Sequence, residues 1–587
     1  MCWLLIVGIM LCAGCAYGAD TAFVSVHGSA GVSAEFYSLT SSGATSAVPR
    51  RPEAIFRLYS GTHLRFSDVL EIPIQIQYTY RSPFDLQANV ATASLPDILF
   101  NPLNHFSISP VFGPVRLEIG SVYTRYGSLI ADNAQVFGAG GSISVGKLTV
   151  SATYGILQRG IQADTATVSP GSFMRTLFAC RISSEPEPQF SYGFSLAKIN
   201  DDEQSIPLIT DDLTVPIPIV NDSGIAVRDT LLSLTIPDAL MPVAQEGIAV
   251  GFDIRAPVTK NFTIAAEAAG VCFTRDKAAP ELTTEVPVLS LLYLMRTSTR
   301  LDWAGIVSAG YEQETWGIEG RVNYVGPGFI CLTQPLYQPD RIDVTINPRI
   351  SMYNGRLNGT ATLGWRKQNI ADALDVASDQ MLIRASLTAT VLSELNINAS
   401  FTNFGLRTTS DFDTLRYEQV SQSLGITPTF TLLTQNHSHQ ISVSFNRDVY
   451  TVQAVLSQPA TVTSSISANA LYGLSQTSGL WGMRVVVSYV SSSQQAFGVS
   501  HYSVSASGNY KLYNGLLHPD VSLVVGSQAI GTLPSELRKT VRMGIRSKLS
   551  SSLTGNAQMQ ITDVNSTNPS GRSFTEYVGS VGLQISF

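Results

Sequence analysis

Every second residue of this chain changes character, and it does so over long runs. Val541, Met543, Ile545 and Leu549 alternate with Arg542, Gly544, Arg546 and Lys548. Tyr502, Val504, Ala506, Gly508, Tyr510 and Leu512 alternate with Ser503, Ser505, Ser507, Asn509 and Lys511. The same rhythm runs through 342–352, 357–366, 395–401, 556–562 and 577–587. Period two held for ten residues or more defines a strand with two chemically distinct faces. A soluble β-sandwich also alternates, so two further features decide between the architectures. The runs reach ten to fourteen residues, against five or six for an ordinary strand, and a tilted crossing of a bilayer takes roughly 9–11. Short and long connections also alternate. Short ones fall near 145–146, 258–259, 354–355, 393–394, 514–517 and 551–552, and long ones near 83–103, 199–245, 273–298, 326–340, 406–417, 447–460 and 564–572. Asn354-Gly355 and Asn514-Gly515 are tight-hairpin signals, because both residue types tolerate positive φ.

Composition agrees. Only 14% of the 587 residues are charged and mean hydropathy is +0.15, yet no long apolar run follows the first twenty residues. Apolar residues are dispersed among Ser, Thr, Gly, Asn and Gln, an unusual profile for a cytosolic enzyme. A net charge of −7 argues against nucleic acid as a partner, since phosphate binding needs a basic surface. Of six cysteines, Cys180, Cys272 and Cys331 lie beyond the leader, too far apart for a disulfide framework or a zinc pattern. The opening "MCWLLIVGIMLCAGCAYGAD" reads as a secretory signal over 1–18, cleaved after Gly18. An alternative is lipidation at Cys15; an uncleaved span is disfavoured because the apolar stretch is short.

These features predict an all-β fold: a single-chain transmembrane antiparallel β-barrel over 19–587, with about 26 strands (24–26), short periplasmic turns and long extracellular loops. The final strand would close on the first, since only closure pairs every backbone group in hydrocarbon. "YVGSVGLQISF", with Tyr577, Val581, Leu583, Ile585 and Phe587 in one phase, resembles the sorting and assembly signal of Gram-negative outer-membrane β-barrel proteins. "VFGAGGSISVGKLTVSATYGILQRG" and "VGPGFICLTQPLYQPDR" are similar to segments of large barrels from such bacteria. The resemblance implies residence in the cell outer membrane, contact with its lipid, and insertion by the barrel-assembly machinery.

Six basic residues phase inward near the end: Arg484, Lys511, Arg538, Arg542, Arg546 and Lys548. Charged rings set selectivity in pores, so these are pore-lining candidates; the alternative is a hydrated wall neutralised by carboxylates on neighbouring strands. His437 and His439 share a face but have no third ligand in view, so a turn is preferred to a metal site. Asp201, Asp202, Asp211 and Asp212 lack the spacing of a calcium loop and read as solvated charge. "GPG" (326–328) reads as a turn and "GAGG" (138–141) as a bend or bulge within a strand. Segments 229–241 and 286–295 look helical or irregular and lie in the long loops 199–245 and 273–298, which either pack locally or fold in as a plug.

The expected function is a pore or export conduit of unspecified substrate. The alternative is a non-conducting scaffold barrel, plugged by its own loops or by a periplasmic or lumen-plugging protein. No motif ties a histidine to a nucleophile, so no enzyme and no cofactor are expected. A TonB-dependent receptor and a barrel-assembly protein are disfavoured, because strands begin by about residue 30 with neither a plug domain nor repeat domains before them.

Overall fold

A computed structural model describes residues 24–41, 49–67, 69–80, 98–99, 101, 104–162, 171–187, 190–206, 213–220, 226–234, 242–282, 293–334, 337–412, 415–454, 459–494, 497–531, 535–566 and 573–587. The leader, including Cys15, lies outside these residues, as do Asp211 and Asp212.

The wall is one antiparallel sheet that closes on itself. Its first strand, Val24–Ser41, pairs with the last, Phe574–Ser586, from Ser29↔Ser586 to Ser41↔Phe574. Between them each strand pairs with its sequence neighbours, giving a closed ring of 26 strands. One wall strand is broken into His105–Ile108 and Val111–Phe112. Pro110 interrupts it, as the sequence suggests, because a proline has no N–H for the ladder. Stepping between paired residues once round the ring returns to the first strand about 26 residues further on. That sets the strand lean at roughly 37° and the backbone ring at roughly 45–50 Å across.

Twelve short turns gather at one end of the ring, together with the start of the first strand and the end of the last. The long connections gather at the other end. Two turns share the tripeptide Tyr-Asn-Gly. Tyr353, Asn354 and Gly355 have φ of 53°, 55° and 80°, and Tyr513, Asn514 and Gly515 have 50°, 56° and 84°. The left-handed region therefore covers three residues of a wider turn, not only the Asn-Gly pair that the sequence marks.

Several expectations are refined. Segment 229–241 is not helical where it is described: Ala226–Leu234 is a strand paired with Leu213–Val220 in a separate hairpin. Of 286–295, only 293–295 is described, and Tyr293 lies buried on the outer faces of Ile248 and Cys272. Several wall strands outrun their expected ends, reaching Ser410 and Gln453, because cross-strand pairing continues above the bilayer where water also tolerates it. "GAGG" carries no bulge; its ladder is regular on both sides. The glycines permit close approach instead, since a Cβ on Gly138 would stand 2.1 Å from the Tyr154 carbonyl oxygen.

Candidate functional site

The register assigns each side chain to a face. In the seam, Val32, Ala34 and Phe36 share a face with Leu583, Val581 and Tyr577, while Ser33 and Glu35 share the other with Gly582 and Ser580. The first face looks outward. Its large apolar groups are widely exposed all round the ring, among them Phe36, Phe178, Phe252, Trp303, Leu363 and Val504. So continuous an apolar belt is untenable in water. Outward charges such as Lys198, Lys367, Arg407, Arg447 and Lys539 occur only toward the long-loop ends of their strands, above that belt. At the short-turn end, His437 lies 5.7 Å from Trp481, and His439 Nδ1 is 3.0 Å from the Tyr472 hydroxyl. The histidine pair thus belongs to an aromatic girdle at the membrane interface on the short-turn side. No cluster of three metal-ligating side chains occurs among the described residues.

A closed sheet with an apolar belt, one girdled edge and charge confined to the other edge spans a membrane. This chain is a transmembrane β-barrel.

Solved structures similar to the barrel include OccAB4 of Acinetobacter baumannii (10% identity, covering 68% of this chain and 99% of that one, TM-score 0.28). OpdK of Pseudomonas aeruginosa is another (11%, 60% and 95%, TM-score 0.28), as is the P pilus usher PapC translocation pore (9%, 96% and 99%, TM-score 0.26). No family model and no curated protein matches the sequence.

The functional site of such a fold is its lumen, and here the lumen has two unlike sides. On one side, from Val115–Arg125 round to Trp316–Val325, many inward residues toward the long-loop end are themselves apolar. Val136, Leu177, Ala179, Ala197, Ala304 and Val325 are fully buried. They are covered by two connections that fold inside the ring, residues 126–131 and 326–334, with Leu129, Ile130, Phe329 and Cys331 in the resulting core. Glu267 anchors the first connection, accepting from Ser128 Oγ at 2.5 Å and Leu129 N at 2.8 Å. Asp302 anchors the second, accepting from Gly328 N at 2.5 Å. A Cβ on Gly326 would stand 2.1 Å from Asp302 Oδ1, so "GPG" is a turn whose first glycine makes room for that carboxylate. The two connections meet where Cys331 Sγ donates to Ile130 O at 3.1 Å and Gln334 Nε2 to Ser128 O at 2.8 Å. Burial raises the Cys331 thiol above its ordinary value of 9.0, and burial likewise raises the Tyr126 hydroxyl, which lies 2.6 Å from Thr153 Oγ1.

Below these loops, toward the short-turn end, the same side opens into a recess of about 710 Å³ lined by Arg255, Ser308, Glu312, Glu319, Asn347 and Arg349. Several inward arginines here carry carboxylate partners. Arg181 donates to both oxygens of Asp253 at 2.6 and 2.9 Å, Arg175 to both of Asp201 at 2.7 and 2.9 Å, and Arg349 of the adjoining strand Arg341–Met352 pairs with Glu312. Asp202 accepts from Gln204 N at a turn. The expected solvated acids are therefore one buried ion-pair member, Asp201, and one turn cap, Asp202.

The other side, from Arg341–Met352 to the seam, has no loop cover among the described residues, and its inward positions are mostly Ser, Thr, Asn and Gln. Arg538, Arg542, Arg546 and Lys548 share the inward face of Glu536–Lys548, and Arg484 faces inward from Trp481–Gln494. All five are exposed. Lys511 is half-buried just past the end of Phe497–Tyr510, over the turn at Gly479. No carboxylate lies within ion-pair distance of these six among the described residues; Arg542 instead donates to the neutral Gln560 at 2.8 Å.

The phasing of the basic residues was legible in the sequence. Glu267, Asp302 and the two inner loops were not singled out, although a signal existed. In 246–274 both alternating sets are largely apolar or small, with Ala249, Gly251, Ala265, Ala269 and Val271 inward. A strand apolar on both faces has something packed on each of them.

Proposed function

We propose that the barrel is a passive, non-catalytic conduit for solutes or a polymer across the outer membrane, inserted through its terminal strand by the assembly machinery. The supporting observation is that polar and charged side chains from Arg341 to the seam point inward and most remain exposed or half-buried. The inner loops cover only the opposite side. A ring of this strand number leaves a wide water-filled lumen unless it is filled. Reconstitution into planar bilayers tests the reading: stable, ohmic single-channel steps are expected, and a folded barrel that never conducts overturns it.

A second reading, a scaffold whose lumen is plugged, draws on the same loops. It requires a further segment or partner to cover the hydrophilic side. Isolation from native membranes in mild detergent separates the two: a stoichiometric companion protein together with absent conductance favours the scaffold.

A further inference from the structure

The basic residues stand opposite the dry side. Phe262–Thr274, which carries Glu267 and supports the inner loops, and Glu536–Lys548, which carries the ladder, are thirteen strands apart in either direction round the ring. Arg538, Arg542 and Arg546 recur every four residues, about 13 Å along the strand. Arg484, Ser507, Ser522 and Arg542 are successive cross-strand partners, so two guanidiniums about 14 Å apart flank two serines in one row. Such spacing is too wide for two of these groups to grip one small anion, whereas a chain with repeated negative groups can meet several in turn. Their charge is not neutralised as it is for Arg175, Arg181 and Arg349. The acids on the inward faces nearby are Asp448, Glu536 and Glu576 toward the extracellular ends, with Asp520 alone lower down beside Gly544. The middle and periplasmic stretch, with Arg484, Arg542, Arg546, Lys548 and Lys511, is therefore the electropositive part.

Resting on the conduit reading, we infer that this wall is a track for an acidic polysaccharide entering from the periplasm. Guanidiniums bind carboxylate or phosphate groups in bidentate fashion, and the surrounding serines, asparagines and glutamines match sugar hydroxyls. Nucleic acid fits less well, because single strands need stacking platforms. On the inward faces of the described strands from 437 to 586 the Tyr, Phe and Trp side chains are Tyr450, Phe497 and Phe574, all at the long-loop ends and none in the electropositive stretch.

The test is block of single-channel current in planar bilayers by polygalacturonate, by neutral dextran of equal size and by single-stranded polydeoxyadenylate, added to each side separately. Polygalacturonate on the periplasmic side is expected to block at concentrations at least tenfold lower than dextran, and lower than from the outside. The triple variant R538Q/R542Q/R546Q should abolish that advantage and shift the reversal potential toward cations; R538K/R542K/R546K should keep both. Equal block by polygalacturonate and dextran, or block unchanged in the glutamine variant, overturns the inference while leaving the conduit intact. Stronger block by the polydeoxyadenylate overturns the choice of glycan. Should the glutamine variant fail to fold, the wild-type sidedness and the dextran comparison decide alone. A barrel that passes no current fails at the conduit reading itself.

Discussion

The two halves of this wall obey one rule outside and opposite rules inside. Outward, Phe178 and Ile182 in the first half and Val487 and Val504 in the second are equally committed to lipid. Inward, the first half buries Leu177, Ala179 and Ala197 beneath its loops, while the second presents Ser488, Ser505, Arg484 and Arg542 to an open space. The lipid face is fixed by a solvent common to every strand. The inner face is free to meet either water or protein, and this barrel uses both. Where it meets protein, carboxylates are consumed in anchoring backbone and pairing arginine; where it meets water, Arg484, Arg538, Arg542 and Arg546 have no carboxylate partner among the described residues.

The comparison breaks most decisively at the loop core. Ile130→Asp places a carboxylate against Gly251, at a cost of several kcal/mol for an unpaired buried charge. The expected result is detachment of 126–131 and 326–334, seen as maleimide reactivity at Cys331 and at least a doubling of single-channel conductance. An unreactive thiol with unchanged conductance would mean that the loops do not fill that side. Next in size, Ile182→Arg and Val487→Arg should each destabilise the barrel by about 2–4 kcal/mol in equilibrium unfolding from lipid. Equal penalties would support one lipid face for both halves, and a penalty confined to one half would split it.

Glu267→Ala removes two hydrogen bonds to a carboxylate, each worth about 1.5–3 kcal/mol. Looser loops should appear as partial Cys331 labelling and noisier current, with Glu267→Gln intermediate. The pH dependence has a definite sign. Cys331 and Tyr126 are acids whose folded values are raised, so the closed loops hold more protons than the open ones. Closure is fully stable below the ordinary thiol value of 9.0 and weakens as pH rises beyond it. Conductance recorded from pH 7 to 10.5 should climb in the upper part of that range, less so in Cys331→Ala. The smallest effect belongs to the open side. Arg542→Gln should leave unfolding stability within about 0.5 kcal/mol, since an exposed charge without a carboxylate partner contributes little, yet move the reversal potential measurably.

Much of this was readable beforehand. The strand with Arg538, Arg542, Arg546 and Lys548 has the face and phase that its alternation announces, and the strands from Arg341 to Ser586 lie where expected, apart from those that run on to Ser410 and Gln453. Reading failed where a connection's destination mattered. Residues 326–340 look like any long extracellular loop, and nothing local says that Phe329 turns inward to rest with Ile130. The segment at 229–241 misled because leucines spaced by small polar residues fit a helix or a strand until a partner such as Leu213–Val220 is present.

By itself the sequence determined closure, strand count and sidedness, because period-two alternation and turn chemistry are local and hydrocarbon leaves no other arrangement for unpaired strands. Only the tertiary structure decided which part of the lumen is dry. That depends on which distant segment meets an inner face, and contacts such as Cys331 with Ile130, about two hundred residues apart, leave no periodic trace in the chain.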